Sequence, residues 1–330
     1  MIEVRASVSQ LLGMPPARFL RDYWQKRPLL VRGAFRAFAD PLTPNDLAGL
    51  ACEPAALSRL IVHDAKRDRW TLRTGPFDAA DFGKLPKRDW TLLVQDVDKW
   101  DADVRALLPR FDFLPSWRID DVMISYAVDG GSVGAHVDQY DVFLLQGLGR
   151  RRWAISTDPH APKAFRDDAE IRLLRDFAPT HEWVLETGDM LYLPPGVPHH
   201  GVALGECLTY SVGMRAPSRA ELLVDFAETF AAEWPDDARF DDPDLAPAHG
   251  DGEIDDAAFE RALRAMPWLR VGDTAAFRAW FAAYVTRYRS TLSAVPRARK
   301  ITDAELARAV AANADVVRNP WSRAAWFRSG

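Results

Sequence analysis

A chain of 330 residues, 48% hydrophobic and 27% charged, has enough apolar material for a sizeable core and is not a disordered sequence. No apolar run approaches the ~20 residues of a membrane helix, and the opening MIEVRASVSQLLG lacks the continuous apolar stretch of a secretory signal. The net charge of −5 argues against a general nucleic-acid coat, and two distant cysteines, Cys52 and Cys207, argue against a disulfide framework or a thiolate metal site; a reducing cytoplasm suits both.

Leu11, Leu12, Phe19, Leu20, Tyr23 and Trp24 recur at helical spacing, which predicts an N-terminal helix closed by Pro28, with Leu29-Leu30-Val31 as a short strand. From about residue 90 to 215 short β-type runs alternate with Gly and Pro turns: 90–94, 121–128, 134–146, 152–155, 183–185, 190–193 and 208–214. This pattern predicts a mostly β core with helices, built as a barrel or sandwich. Beyond it, Ser218 and Glu221 form a capping-box signature ahead of Leu222, Leu223 and Phe226. An acidic, turn-rich stretch from 235 to 256 reads as a loop. Phe277, Trp280, Phe281, Tyr284, Val285 and Tyr288 then share one helical face. Such a stripe either packs on the helix begun at Ser218 or forms a subunit interface. Thr302 and Glu305 open one more capped helix.

The chemistry concentrates in two motifs. The first is Gly130-Gly-Ser-Val-Gly-Ala-His136-Val-Asp138. Residues two apart on a strand face one side, so His136 and Asp138 are expected to project together into the barrel. One imidazole and one carboxylate make two thirds of the facial triad of non-haem Fe(II) oxygenases. The second is Gly188-Asp-Met-Leu-Tyr-Leu-Pro194-Pro-Gly196-Val-Pro-His199, where a rigid turn aims a histidine. It resembles the second cupin motif, G-x5-P-x-G-x2-H, and that spacing selects His199 over His200 as third ligand. Asp138 in place of the first motif's second histidine, and the absent cupin glutamate, favour a His-Asp-His oxygenase. On the run Arg150-Arg-Arg-Trp-Ala-Ile155, alternation puts Arg151 with Trp153 and Ile155. Arg151 is then a buried guanidinium, costly without an anion and suited to a bidentate carboxylate such as that of 2-oxoglutarate.

Arg118-Ile-Asp-Asp-Val-Met-Ile-Ser125, His136-Val-Asp-Gln-Tyr-Asp-Val-Phe-Leu-Leu-Gln146, Gly149-Arg-Arg-Arg-Trp153, Tyr23-Trp-Gln-Lys-Arg-Pro-Leu-Leu30 and Tyr210-Ser-Val-Gly-Met-Arg-Ala-Pro217 look like the bacterial ribosomal oxygenases, JmjC-type relatives of the human nucleolar ribosomal oxygenases. The resemblance covers roughly residues 15 to 295. It implies N-terminal elements over 1–89 flanking a double-stranded β-helix (cupin/JmjC jelly roll) over 90–217, and a helical dimerisation region over 218–295. Residues 296–330 would begin a winged-helix-like domain, with too few residues to complete it, so either the chain is truncated or this member lacks that domain. It also implies an Fe(II)- and 2-oxoglutarate-dependent dioxygenase, using O₂ to hydroxylate an arginine of large-subunit ribosomal protein sixteen, and a homodimer without sequence-specific nucleic-acid binding. His136, Asp138 and His199 would bind iron, and Arg151 and Ser125 would bind 2-oxoglutarate. For a cationic substrate, Asp121 and Tyr140 are the candidates, against a surface acid and a core tyrosine. A JmjC-type demethylase and a non-catalytic cupin-like binding protein are the rival functions.

Overall fold

The computed structural model describes residues 2–232, 235, 239, 241–243, 256–265, 274–287, 301–312 and 319–327. Twelve strands are described: β1 (Glu3–Arg5), β2 (Leu29–Arg32), β3 (Ser58–Asp64), β4 (Arg69–Thr74), β5 (Trp90–Val94), β6 (Ile119–Ala127), β7 (Val142–Gln146), β8 (Arg150–Ile155), β9 (His181–Leu185), β10 (Met190–Leu193), β11 (His199–Leu204) and β12 (Cys207–Met214). Nine form one mixed sheet in the order β1-β2-β10-β7-β12-β6-β5-β3-β4, and β11-β8-β9 form a second. Central strands covered on both faces read as unbroken apolar runs. Accordingly every residue of β7, β10 and β12 is buried.

Alternation along β7 and β10 builds two cores. Phe143, Leu145, Met190 and Tyr192 face an outer core. There the helix Pro16–Asp22 sets Phe19 5.0 Å from the ring of Tyr192, which lies 4.9 Å from Phe143. Val142, Leu144, Leu191 and Leu193 face the opposite way, onto Trp153, Ile155 and Leu185 of the small sheet. This second cluster fills the jelly roll, and burying each such side chain contributes about 1.5–3 kcal/mol.

Several expectations need correction. Leu11 and Leu12 lie in turns, because the helix starts only where Pro16 supplies a pre-set first position. The run expected over 134–146 is a strand only from Val142. His136 takes part in a single bridge, to His199, and residues 137–141 are irregular. β3 and β4 were not foreseen; both extend the large sheet beyond β5.

The chain divides into two compact units, Met1–Ala216 with Tyr288–Arg323, and Pro217–Arg287 with Ala324–Gly330. In the second unit the capping box of Ser218 and Glu221 opens the helix Arg219–Ala231. The helix Thr274–Thr286 lays Trp280 against Phe226, ring centroids 5.0 Å apart, and the Trp280 Nε1–H donates to Asp225 at 3.0 Å. Trp280, Tyr284 and Val285 are buried, while Phe277 remains 41% exposed. Much of the aromatic stripe is thus internal packing; Tyr288 lies outside the described residues, as does most of the acidic stretch 235–256. Among the described residues no helix is long and apolar enough to cross a membrane.

Candidate metal and co-substrate site

The two motifs are fastened to each other by backbone. The amide of His136 donates to the carbonyl of His199 and the reverse, both at 3.0 Å, and the Gly196 amide donates to the Asp138 carbonyl at 2.8 Å. Gly196 holds φ +79, the left-handed region that closes the Pro-Pro-Gly turn. His199 is the first residue of β11 and sits opposite Ile155, so a strand, rather than the turn alone, delivers it.

As a result, ligand atoms of His136, Asp138 and His199 lie within 4.8 Å of one another. Nε2 of His199 is 3.6 Å and Nε2 of His136 3.8 Å from the same Asp138 oxygen. Each imidazole uses Nδ1 on the carbonyl two residues back: His136 on Gly134 at 3.0 Å, His199 on Val197 at 2.9 Å. This assigns the proton to Nδ1 and leaves Nε2 a lone pair for a metal. Burial, then the field of His136, pushes His199 down to about 4, so it is neutral at physiological pH. The donor set of two imidazoles and one carboxylate suits Fe(II) and leaves coordination positions open.

A further layer escaped sequence reading. The Gly134 amide donates to Ser132 Oγ at 2.9 Å, and Ser132 Oγ lies 3.0 Å from Nε2 of His200. Burial and the field of His136 push His200 down to about 4, so its ring is neutral and shares one hydrogen bond with the Ser132 hydroxyl. His200 lies outside the cluster of ligand atoms; through Ser132 and Gly134 it is linked to the carbonyl that meets His136. At the other end of the segment, the fully buried Asp141 accepts from Tyr192 Oη at 2.6 Å, Gln25 Nε2 at 2.9 Å and Arg118 Nη2 at 3.4 Å. These partners are scattered along the chain; the only sequence signal was a carboxylate directly preceding an apolar strand.

Deeper in the barrel, strand alternation behaves as expected. Arg151 is 5% exposed, whereas Arg150 and Arg152 face solvent. Nη1 of Arg151 donates to Ser125 Oγ on β6 at 3.4 Å. Its Nε and Nη2 are buried without an acceptor among the described residues. A buried guanidinium with orphaned donors calls for an anion, which fits the distal carboxylate of 2-oxoglutarate.

Asp121 shares the inner face of β6 with Ser125, two alternations away. It is half-buried rather than a surface acid, and its Oδ2 accepts the Asp96 amide at 3.0 Å. Its acidic neighbours have cations: Lys99 bonds Asp98 and lies 3.8 Å from Asp96, and Arg323 reaches Asp120 at 3.1 Å. Asp121 forms no ion pair among the described residues. Burial and the fields of Asp96, Asp120 and Asp98 push it up to about 7, although the Asp96 amide opposes this. Tyr140 is 40% exposed rather than a core residue. Desolvation, ahead of the fields of Asp138 and Asp121 and a hydrogen bond to Asp138, holds its phenol protonated.

Residues 106–222 match the JmjC domain family. The chain is 38% identical over 278 residues to the ribosomal protein uL16 3-hydroxylase of Escherichia coli (strain K12), covering 84% of this chain and 73% of that one. It is 39% identical over 222 residues to a probable ribosomal oxygenase of Haemophilus influenzae, covering 67% and 54%. An X-ray structure of E. coli YcfD superposes with a TM-score of 0.81 at 36% identity, over 92% of this chain and 80% of that one. YcfD, described as a ribosomal oxygenase, in complex with cobalt and 2-oxoglutarate superposes with a TM-score of 0.78 at 36% identity, over 91% and 79%. The chain belongs to the ribosomal oxygenases of the JmjC class.

Proposed function

We propose that this protein is an Fe(II)- and 2-oxoglutarate-dependent dioxygenase that hydroxylates an arginine side chain of a large-subunit ribosomal protein. The names of its relatives support the class of substrate. The observation that carries arginine is Asp121, a half-buried carboxylate with no ion pair among the described residues, beside the exposed ring of Tyr140. A guanidinium entering there would supply the missing cation and lie against an aromatic face. His136, Asp138 and His199 would hold the iron, and Arg151 with Ser125 the distal carboxylate of 2-oxoglutarate. Bound together, these groups supply oxidation: 2-oxoglutarate and O₂ become succinate, CO₂ and one oxygen inserted into a substrate C–H bond. The protein's own part is to aim Nε2 of both histidines, to neutralise the far carboxylate, and to keep water from the barrel interior. A cytoplasmic location follows with a ribosomal substrate.

The test is turnover of a uL16 peptide with Fe(II) and 2-oxoglutarate, reading succinate and peptide mass. A gain of one oxygen on an arginine is expected. Loss of a methyl group would favour demethylation, and metal binding without succinate release would favour the non-catalytic reading.

We also read the helical unit as a homodimer surface. Its support is the exposure of Leu223 and Val224, at 57% and 54%, on the helix whose Phe226 is already packed against Trp280, and of Phe259, at 58%, on the helix Asp256–Ala265. Light scattering should give twice the chain mass, and Leu223→Glu with Phe259→Glu should give a folded, smaller species. A single-chain mass for the unmodified protein at micromolar concentration would end this reading.

A further inference from the structure

Trp153 stands on the barrel face of β8 and is 4% exposed, yet its Nε1–H meets no acceptor among the described residues. Leaving a buried donor unmet forfeits the hydration of that group, so an apolar core gains nothing by keeping one there. The ring belongs to the apolar cluster of Val142, Leu144, Ile155 and Leu191.

The ladder between β8 and β11 gives the indole its place. Ile155 opposes His199, Trp153 opposes Gly201, and Arg151 opposes Ala203. Trp153 therefore stands midway between the third metal ligand and the buried guanidinium, about 7 Å along the strand from each level. Its ring lies 5.9 Å from that of His199 and 5.7 Å from Cζ of Arg151. Gly201 makes the room, since a Cβ there would come within 2.7 Å of the indole.

2-Oxoglutarate has a metal-chelating keto acid at one end and a free carboxylate at the other, joined by two methylenes. Stretched from the triad to Arg151, it must pass this ring. We propose that Trp153 is a co-substrate-binding residue: its face forms the wall along the two methylenes, and its Nε1–H donates to an oxygen of 2-oxoglutarate. The buried donors of this face that lack an acceptor among the described residues, Arg151 Nε and Nη2 with Trp153 Nε1, then serve one oxygen-rich anion.

The inference rests on the reading of the site as a 2-oxoglutarate pocket, and the experiment separates the two. The full chain, loaded with Zn(II) and ¹⁵N-labelled, is titrated with 2-oxoglutarate while the Trp153 indole N–H, assigned by triple resonance through its own backbone, is followed. A marked shift of that resonance is expected. Calorimetry on Trp153→Phe, which keeps the aromatic wall and removes the donor, should give about tenfold weaker 2-oxoglutarate binding, about 1.4 kcal/mol, with Zn(II) affinity unchanged. If the unmodified protein does not bind 2-oxoglutarate, the co-substrate reading and this inference fall together. If it binds, but the Trp153 resonance stays in place and Trp153→Phe binds equally well, Trp153 is core filling and only this inference is overturned. Should Trp153→Phe not fold, the resonance of the unmodified protein decides.

Discussion

At the metal end of the barrel, two of three ligands ride on residues 136–138, a segment with one β-bridge and no regular strand. At the far end, Arg151 stands inside a three-stranded ladder, with β11 on one side and β9 on the other. The first end is held by individual hydrogen bonds to Gly134, Ser132, His200, Gly196 and Asp141, the second by strand register. A ladder places a side chain through many equivalent bonds, so no single outside residue decides its position. A loop places its ligands through a few particular bonds, and each becomes a point of failure.

The contrast can be broken most severely at the ligands. His199→Ala should drop metal occupancy and turnover to background, read by metal analysis and succinate release; a fully metal-loaded variant would remove His199 from the triad. Arg151→Ala leaves the metal in place and should raise the 2-oxoglutarate requirement about a hundredfold or more, since breaking a buried charge pair costs about 3–5 kcal/mol. Arg150→Ala and Arg152→Ala, both exposed, should shift it less than about threefold. Equal effects at all three would mean that register does not choose the anion partner.

The loop end is sharpened by His200→Ala and Ser132→Ala. Each should keep iron at stoichiometric concentration but weaken metal affinity about tenfold, the lower end of the range for residues behind a ligand. Neither should alter the 2-oxoglutarate dependence of the metal-saturated enzyme, and a change there would erase the distinction between the two ends.

A last effect is on stability and not on turnover, at Asp121. Its folded pKa is pushed up to about 7 from 3.8. The folded protein therefore keeps a proton that the unfolded chain loses near pH 4. This contribution is fully present below about pH 4 and is lost as pH rises through about 7, at no more than about 1.4 kcal/mol per pH unit. Denaturant titrations at pH 5 and pH 8 should show it, and Asp121→Asn should flatten it; an unchanged slope in the variant would assign the effect elsewhere.

The same contrast governs what could be read without coordinates. Arg151 was legible because period-two alternation with Trp153 and Ile155 is a local signal. The place of His199 beside His136 and Asp138 was legible from its spacing after the proline-glycine turn, although the start of β11 is what carries it. The convergence of His136 with Asp138 was anticipated, but for the wrong local reason, since no strand carries them. β3 and β4 escaped because Arg59, His63, Arg69 and Arg73 leave little apolar alternation near the edge of a sheet. The Asp141 and Ser132 hydrogen bonds join residues distant in sequence, and no periodicity encodes them. In the helical unit, the capping box of Ser218 was a local signal and was found, while the choice between internal packing and interface for Trp280 depended on where Phe226 lies in space.

Asp141 also bears on the order in which the molecule assembles. Its three side-chain partners lie 116, 23 and 51 positions away along the chain. A carboxylate cannot be taken out of water before the groups that compensate it are near, and closing loops of that length comes at an entropic cost met only when distant contacts form. The metal-ligand segment is accordingly expected to set late, after β10 has docked on β2 and β7. In refolding followed by pulsed hydrogen exchange, the amide of His136, bonded to the His199 carbonyl, should gain protection in the slowest phase, and protection there ahead of β10 would contradict this order. The feature that makes the site rigid in the native state is then also what delays its appearance.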